Sequence, residues 1–104
     1  MEFLVRIEFS LPPDMAPDVR VRLLEQERAR GLELKSEGVI LRIWRIPGRR
    51  ANVGIWQARD STALHDAIAS LPLFPWIDAQ VTPLALHPVE SDQAASGEGS
   101  DTRC

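Results

Sequence analysis

Apolar and polar residues alternate through residues 2 to 10, with Phe3, Val5, Ile7 and Phe9 set against Glu2, Arg6, Glu8 and Ser10 and only Leu4 out of step. That two-residue period predicts a half-buried strand. Leu11-Pro12-Pro13-Asp14 ends it. Pro17 then opens a long proline-free stretch, which predicts a helix over residues 16 to 37 with Pro17 in its first turn and Gly38 as its C-terminal cap. Residues 39 to 46 and 51 to 57 read as two more strands. The intervening Pro47-Gly48-Arg49-Arg50 is short enough to force an antiparallel hairpin. Asp60 or Ser61 caps a second helix carrying Leu64, Ile68 and Leu71 on its apolar stripe. Pro72-Leu73-Phe74-Pro75 ends that helix, and residues 77 to 86 supply the last strand. The order βαββαβ predicts an α+β, ferredoxin-like sandwich: an antiparallel sheet with both helices on one face.

That architecture leaves the second face of the sheet open. Val53 and Ile55 share one parity of the third strand and Asn52, Gly54 and Trp56 the other, while Leu41 and Ile43 oppose Arg42 and Trp44 in the second strand. Both faces therefore carry large apolar side chains. With Trp44 and Trp56 in water, a lone subunit exposes more apolar surface than isolated domains tolerate, which predicts sheet-to-sheet or edge association into a homo-oligomer. The alternative is that one indole lies under a loop.

Composition narrows the partners. The chain has 104 residues, enough for the core of one domain. Its 15 acids and 12 bases are not evenly spread: Glu90, Asp92, Glu98 and Asp101 against Arg103 put the whole net charge of −3 in residues 89 to 104. Residues 1 to 88 form a neutral domain, and a neutral body lacks the basic excess that nucleic acid rewards. The stretch from residue 91, SDQAASGEGSDTRC, is too poor in large apolar residues to order itself and reads with residues 89 and 90 as a disordered acidic tail. No apolar run reaches the roughly 20 residues of a membrane span, and the charged start does not read as a secretion signal. The single cysteine, Cys104, leaves no disulfide or thiolate cluster and suits a reducing cytoplasm. No phosphate-binding glycine loop, nucleophile elbow or metal-ligand spacing is found.

Glu27 is the most informative residue. With Leu23 set at zero and about 100° per helical residue, Leu34 falls near 20°, Glu27 near 40° and Gly31 near 80°. Glu27 thus sits within the apolar stripe. A carboxylate facing a core loses hydration, which raises its pKa toward neutrality unless a cation pairs with it. This is how a general acid or base is tuned. Gly31, one turn on, leaves room for a small ligand beside it. The other reading open to periodicity alone is a structural Glu27–Arg pair between helix and sheet, or a helix turned far enough to carry Glu27 to the rim. In Leu41-Arg42-Ile43-Trp44-Arg45, an arginine beside a tryptophan either holds an anion or stacks on the indole. His65, at the edge of the second apolar stripe, is a packing residue or a weak ligand candidate. Asn52 in a strand implies a side-chain hydrogen bond, and His87 reads as the end of the last strand.

Three segments, VRIEFSLPPDM, LRIWRIPGRRANVGIW and above all ALHDAIASLPLFPWIDAQVTPLALHP, resemble the muconolactone Δ-isomerase family of the β-ketoadipate pathway for aromatic breakdown, from Met1 to about Pro88. The resemblance implies a ferredoxin-like subunit in a ring-like decamer, no cofactor, and an anionic lactone as substrate. The implied reaction converts muconolactone to 3-oxoadipate enol-lactone: a ring proton conjugated to the carbonyl is removed, a dienolate forms, and a proton returns elsewhere. On that basis Glu27 is the proton shuttle and Asn52 the donor to the dienolate oxygen. Arg45 is the first candidate for the substrate carboxylate, with Arg50, Trp44 and His65 as further binding candidates. The resemblance also leaves room for a chlorinated or methylated lactone, while the residues alone leave room for a non-catalytic oligomeric ligand-binding module.

Overall fold

The structure is a computed structural model and describes residues 1–90; the tail expected to be disordered, with Cys104, lies from residue 91 outside the described residues. Strand β1, Glu2–Phe9, leads into helix α1, Pro17–Ser36; the hairpin strands β2, Ile40–Arg45, and β3, Ala51–Gln57, follow, then helix α2, Ser61–Ala69, a 3-10 turn, Phe74–Trp76, and strand β4, Ile77–Leu84. The sheet order is β2-β3-β1-β4, antiparallel throughout. This is the expected ferredoxin-like arrangement. Among the described residues no helix is long and apolar enough to cross a membrane.

Local signals set the element ends. Pro17 opens α1 as its first residue. At the far end Gly38 takes a φ of 81°, and its N–H and that of Val39 donate to Lys35 O and Leu34 O, the paired bonds of a Schellman cap. Gly48, at φ 79°, follows Pro47 in a turn closed by the Arg49 N–H on Ile46 O; proline then glycine is what a type II turn requires. Asp60 caps α2 by accepting from the Ala63 N–H at 2.8 Å. The last strand stops at Leu84, two residues earlier than expected. His87 does not end it: its carbonyl and Nδ1 accept from the Glu90 and Val89 N–H groups and start a separate turn.

The core lies between the sheet and the helices. Phe3, Val5 and Ile7 of β1, Trp56 of β3, Ile40, Leu34, Leu64, Ile68 and Leu71 form one buried cluster. The pairing places Trp56 opposite Phe3, so Trp56 is 1% exposed while Trp44 is 46% exposed on the outer face. The two indoles thus do not share a solvent face, and the expectation of a paired Trp44–Trp56 patch is corrected. The cause is strand parity together with a bulge between Ile40 and Arg42, which turns Ile40 inward and Trp44 outward. Gly54 serves the same bulge: a Cβ there would meet Arg42 O at 2.5 Å. In α1 only Leu34 is fully buried. Val19, Val21, Leu24 and Leu32 remain exposed on the subunit.

Candidate active site

Glu27 lies on the covered side of α1, where Leu23, Gly31 and Leu34 are also partly or fully buried. The segment after α2 reaches it: the Leu73 N–H donates to Glu27 Oε1 at 3.0 Å. Leu73 is 2% exposed, so its amide needs a protein acceptor, and Glu27 provides one. Burial pushes the Glu27 pKa above its ordinary 4.5, and the Leu73 bond opposes this only in part. Among the described residues no cation forms an ion pair with Glu27. The Glu27–Arg bridge that periodicity left open is thus not formed among the described residues. A Cβ on Gly31 would meet nothing within 4 Å, so the space beside the carboxyl is open.

The second group of residues lies at the turn end of the hairpin. Arg45 pairs directly with Asn52 across β2 and β3, and Asn52 pairs with Ile7 of β1, which puts all three on the helix side of the sheet. Arg45, Arg50 and Asn52 line a cavity of about 430 Å³ with Phe9 and Arg49. Arg49 is engaged by Glu8 at 2.8 Å; Arg45 and Arg50 have no carboxylate partner among the described residues. Asn52 Oδ1 is buried without a hydrogen-bond partner among them. The side-chain hydrogen bond that Asn52 implied is thus not made among the described residues. Trp44 borders the cavity from β2, with its indole on the outer side and the Arg42 guanidinium 5.0 Å over the ring. His65 is exposed on α2 and meets Phe74 edge-on, ring centres 6.0 Å apart.

The helix brings the two groups to the same half of the domain. α1 returns along the sheet, with Leu34 in the cluster that holds Trp56 and Phe3. Glu27 precedes Leu34 by about 10 Å of helix rise, and Asn52 precedes Trp56 by about 13 Å of strand. Both displacements run toward the hairpin turn. An unpaired, half-desolvated carboxyl, toward the same end of the domain as a cavity lined by Asn52 and by two guanidiniums with no described carboxylate partner, suits proton transfer on a small organic anion. Among the described residues no three His, Cys, Asp or Glu side chains gather as a metal site. Sequence reasoning missed the Leu73 amide, a backbone donor; the only sequence signal near it is the Pro72-Leu73-Phe74-Pro75 punctuation.

Residues 1–90 match the family model described as Muconolactone delta-isomerase. Muconolactone Delta-isomerase 2 of Acinetobacter lwoffii is 39% identical over 87 residues, 84% of this chain and 91% of that protein. The Muconolactone Delta-isomerase of Rhodococcus opacus is 35% identical over 85 residues, 82% of this chain and 91% of its own length. A crystal structure of muconolactone isomerase superposes with a TM-score of 0.80 at 36% identity, covering 99% of this chain and 100% of that one. Matched along its described length in sequence and in fold, the chain belongs to the muconolactone delta-isomerase family.

Proposed function

We propose that this chain isomerises muconolactone to 3-oxoadipate enol-lactone, with Glu27 as the single acid–base group. The observation that carries the proposal is the state of that carboxyl: half-buried, unpaired with any described cation, and held at Oε1 by the Leu73 N–H. Glu27 removes the ring proton conjugated to the lactone carbonyl. The C–H electron pair passes into the ring as a dienolate with its charge on the carbonyl oxygen, and the same carboxyl returns the proton to another ring carbon. Atoms and charge balance without a cofactor. The Asn52 amide supplies the donor for the dienolate oxygen through its Nδ2 group, from the cavity that Arg45 and Arg50 also line. Arg45 takes the substrate carboxylate, with Arg50 on the same cavity as the second cation. Trp44, on the outer face, and His65, on α2, stand outside the residues on which the reaction depends.

Glu27→Gln tests the reading. Glutamine retains an oxygen for the Leu73 N–H but carries no transferable proton, so kcat falls by roughly 10²- to 10⁴-fold while the fold is kept. A fully active variant overturns the proposal.

Assembly belongs to the same reading. Leu4 and Trp44 on the outer sheet face and Val21, Leu24 and Leu32 on α1 are exposed, more apolar surface than a lone domain usually shows. We assign it to contacts within a homo-oligomer, a decamer by the family resemblance, in the cytoplasm. Residues 1 to 88 are the folding and assembling unit. Light scattering of the full chain and of a chain ending at residue 90 should give the same oligomer, and a monomer in either case refutes this.

A further inference from the structure

Glu27 and Arg30 stand one turn apart on the partly covered side of α1, and both reach residues 70 to 73. Glu27 Oε1 accepts from the Leu73 N–H at 3.0 Å; Arg30 Nε donates to Ser70 Oγ at 2.9 Å. The pairing is antiparallel, the earlier helix residue holding the later loop residue. Ser70 has a single hydroxyl proton, and it goes to Ala67 O at 2.6 Å, so its lone pairs are left for Arg30. Arg30 is held from its other side by Glu33 at 3.0 Å.

The backbone of this segment is used up in a way that singles out one donor. The N–H groups of Ser70, Leu71 and Phe74 bond within the turn, to Ala67, Ile68 and Leu71. Pro72 has none, and its fixed φ limits how Leu73 is presented. The Leu73 amide is what remains for Glu27. A glutamate's terminal torsion is broad and roughly two-fold, so a carboxyl without such an anchor samples many orientations. Proton transfer at carbon needs one of them.

We infer that Arg30 and Ser70 are positioning residues for Glu27: their bond fixes the segment that holds Oε1 and so presents Oε2 as the oxygen that moves the proton. The inference rests on the acid–base reading of Glu27. The Arg30–Ser70 bond is exposed, so its loss changes the alignment of the carboxyl more than the stability of the fold.

Steady-state kinetics of the assembled full chain, well below the melting temperature, provide the test. Ser70→Ala lowers kcat by about 10-fold and leaves KM within about twofold. Ser70→Thr, which keeps the hydroxyl, restores kcat, and placing Ser70→Ala on Glu27→Gln produces no additional loss. Exchange of the Leu73 amide hydrogen speeds up in Ser70→Ala by about 10-fold or more. Arg30→Met removes the donor from the other side and reproduces the kcat loss should Ser70→Ala fail to fold. Wild-type kcat in Ser70→Ala or Arg30→Met, or a change confined to KM, overturns the positioning role while Glu27 stays the base if Glu27→Gln is inactive. A fully active Glu27→Gln removes the acid–base reading instead.

Discussion

Glu27 and Arg45 both carry charge toward the helix side of one small sheet, but the protein treats them differently. The carboxyl is half-buried, anchored by a backbone amide and raised in pKa by burial. The guanidinium is exposed, and no described carboxylate holds it. A proton-transfer group works only at one position and with one affinity for its proton, so it is built where packing fixes both. An anion-binding group tolerates motion, because Coulomb attraction falls slowly with distance and a guanidinium aligns itself on a carboxylate. Damage at the first should therefore appear in kcat and damage at the second in KM.

The contrast is broken most strongly at the carboxyl, where Glu27→Gln removes the proton carrier and nothing else the structure shows. Next comes Asn52→Ala, which deletes the donor assigned to the dienolate oxygen. It should lower kcat by about 10²- to 10³-fold with a smaller effect on KM, as the loss of one oxyanion donor does elsewhere. Steady-state kinetics over a range of lactone concentrations separate the two constants. An Asn52→Ala enzyme with unchanged kcat would move the amide out of the reaction. Arg45→Gln should act in the opposite sense, raising KM by about 10- to 100-fold for the loss of a charge-assisted bond and leaving kcat within a few-fold. If kcat and not KM collapsed in Arg45→Gln, the division of labour between the two regions would be wrong.

The same contrast bears on what a sequence reveals. Features with a local cause were legible: the alternation of β1, the capping glycine Gly38, the Pro47-Gly48 turn and the Asp60 cap all depend on residues within a few positions of one another. The inward orientation of Glu27 was legible too, because helical geometry fixes it relative to Leu23 and Leu34. Its anchor was not. Leu73 donates through its backbone from 46 positions away, and a main-chain amide leaves no mark in the choice of side chain. Trp56 and Trp44 show a second kind of blindness. Parity assigns faces only while pairing is regular, and one bulged residue between Ile40 and Arg42 changes which side the later residues of β2 take. The exposed apolar residues of α1 show a third, since a stripe of leucines does not say whether its cover comes from the same chain.

Stability measurements sharpen the comparison at smaller scale. Glu27→Ala leaves the buried Leu73 N–H without its acceptor and should cost about 1–3 kcal/mol, read from denaturant unfolding at fixed protein concentration. Glu27→Gln keeps an acceptor and sheds a charge that burial disfavours, so at neutral pH it should melt at the wild-type temperature or above it. The pH dependence of that last difference is the finest test. Because the folded carboxyl binds its proton more tightly than the unfolded one, protonation favours the folded state. The wild-type chain therefore gains stability relative to Glu27→Gln as pH falls from neutrality through the raised pKa, and the gain is complete once pH is below the ordinary value of 4.5. Paired melting curves from pH 8 to pH 4 should show the advantage of Glu27→Gln shrinking on the acid side. An advantage that grew on acidification would mean that the folded protein holds Glu27 as a favoured anion, as an ion pair formed on assembly would, and the carboxyl would then resemble Arg45's end of the site rather than differ from it.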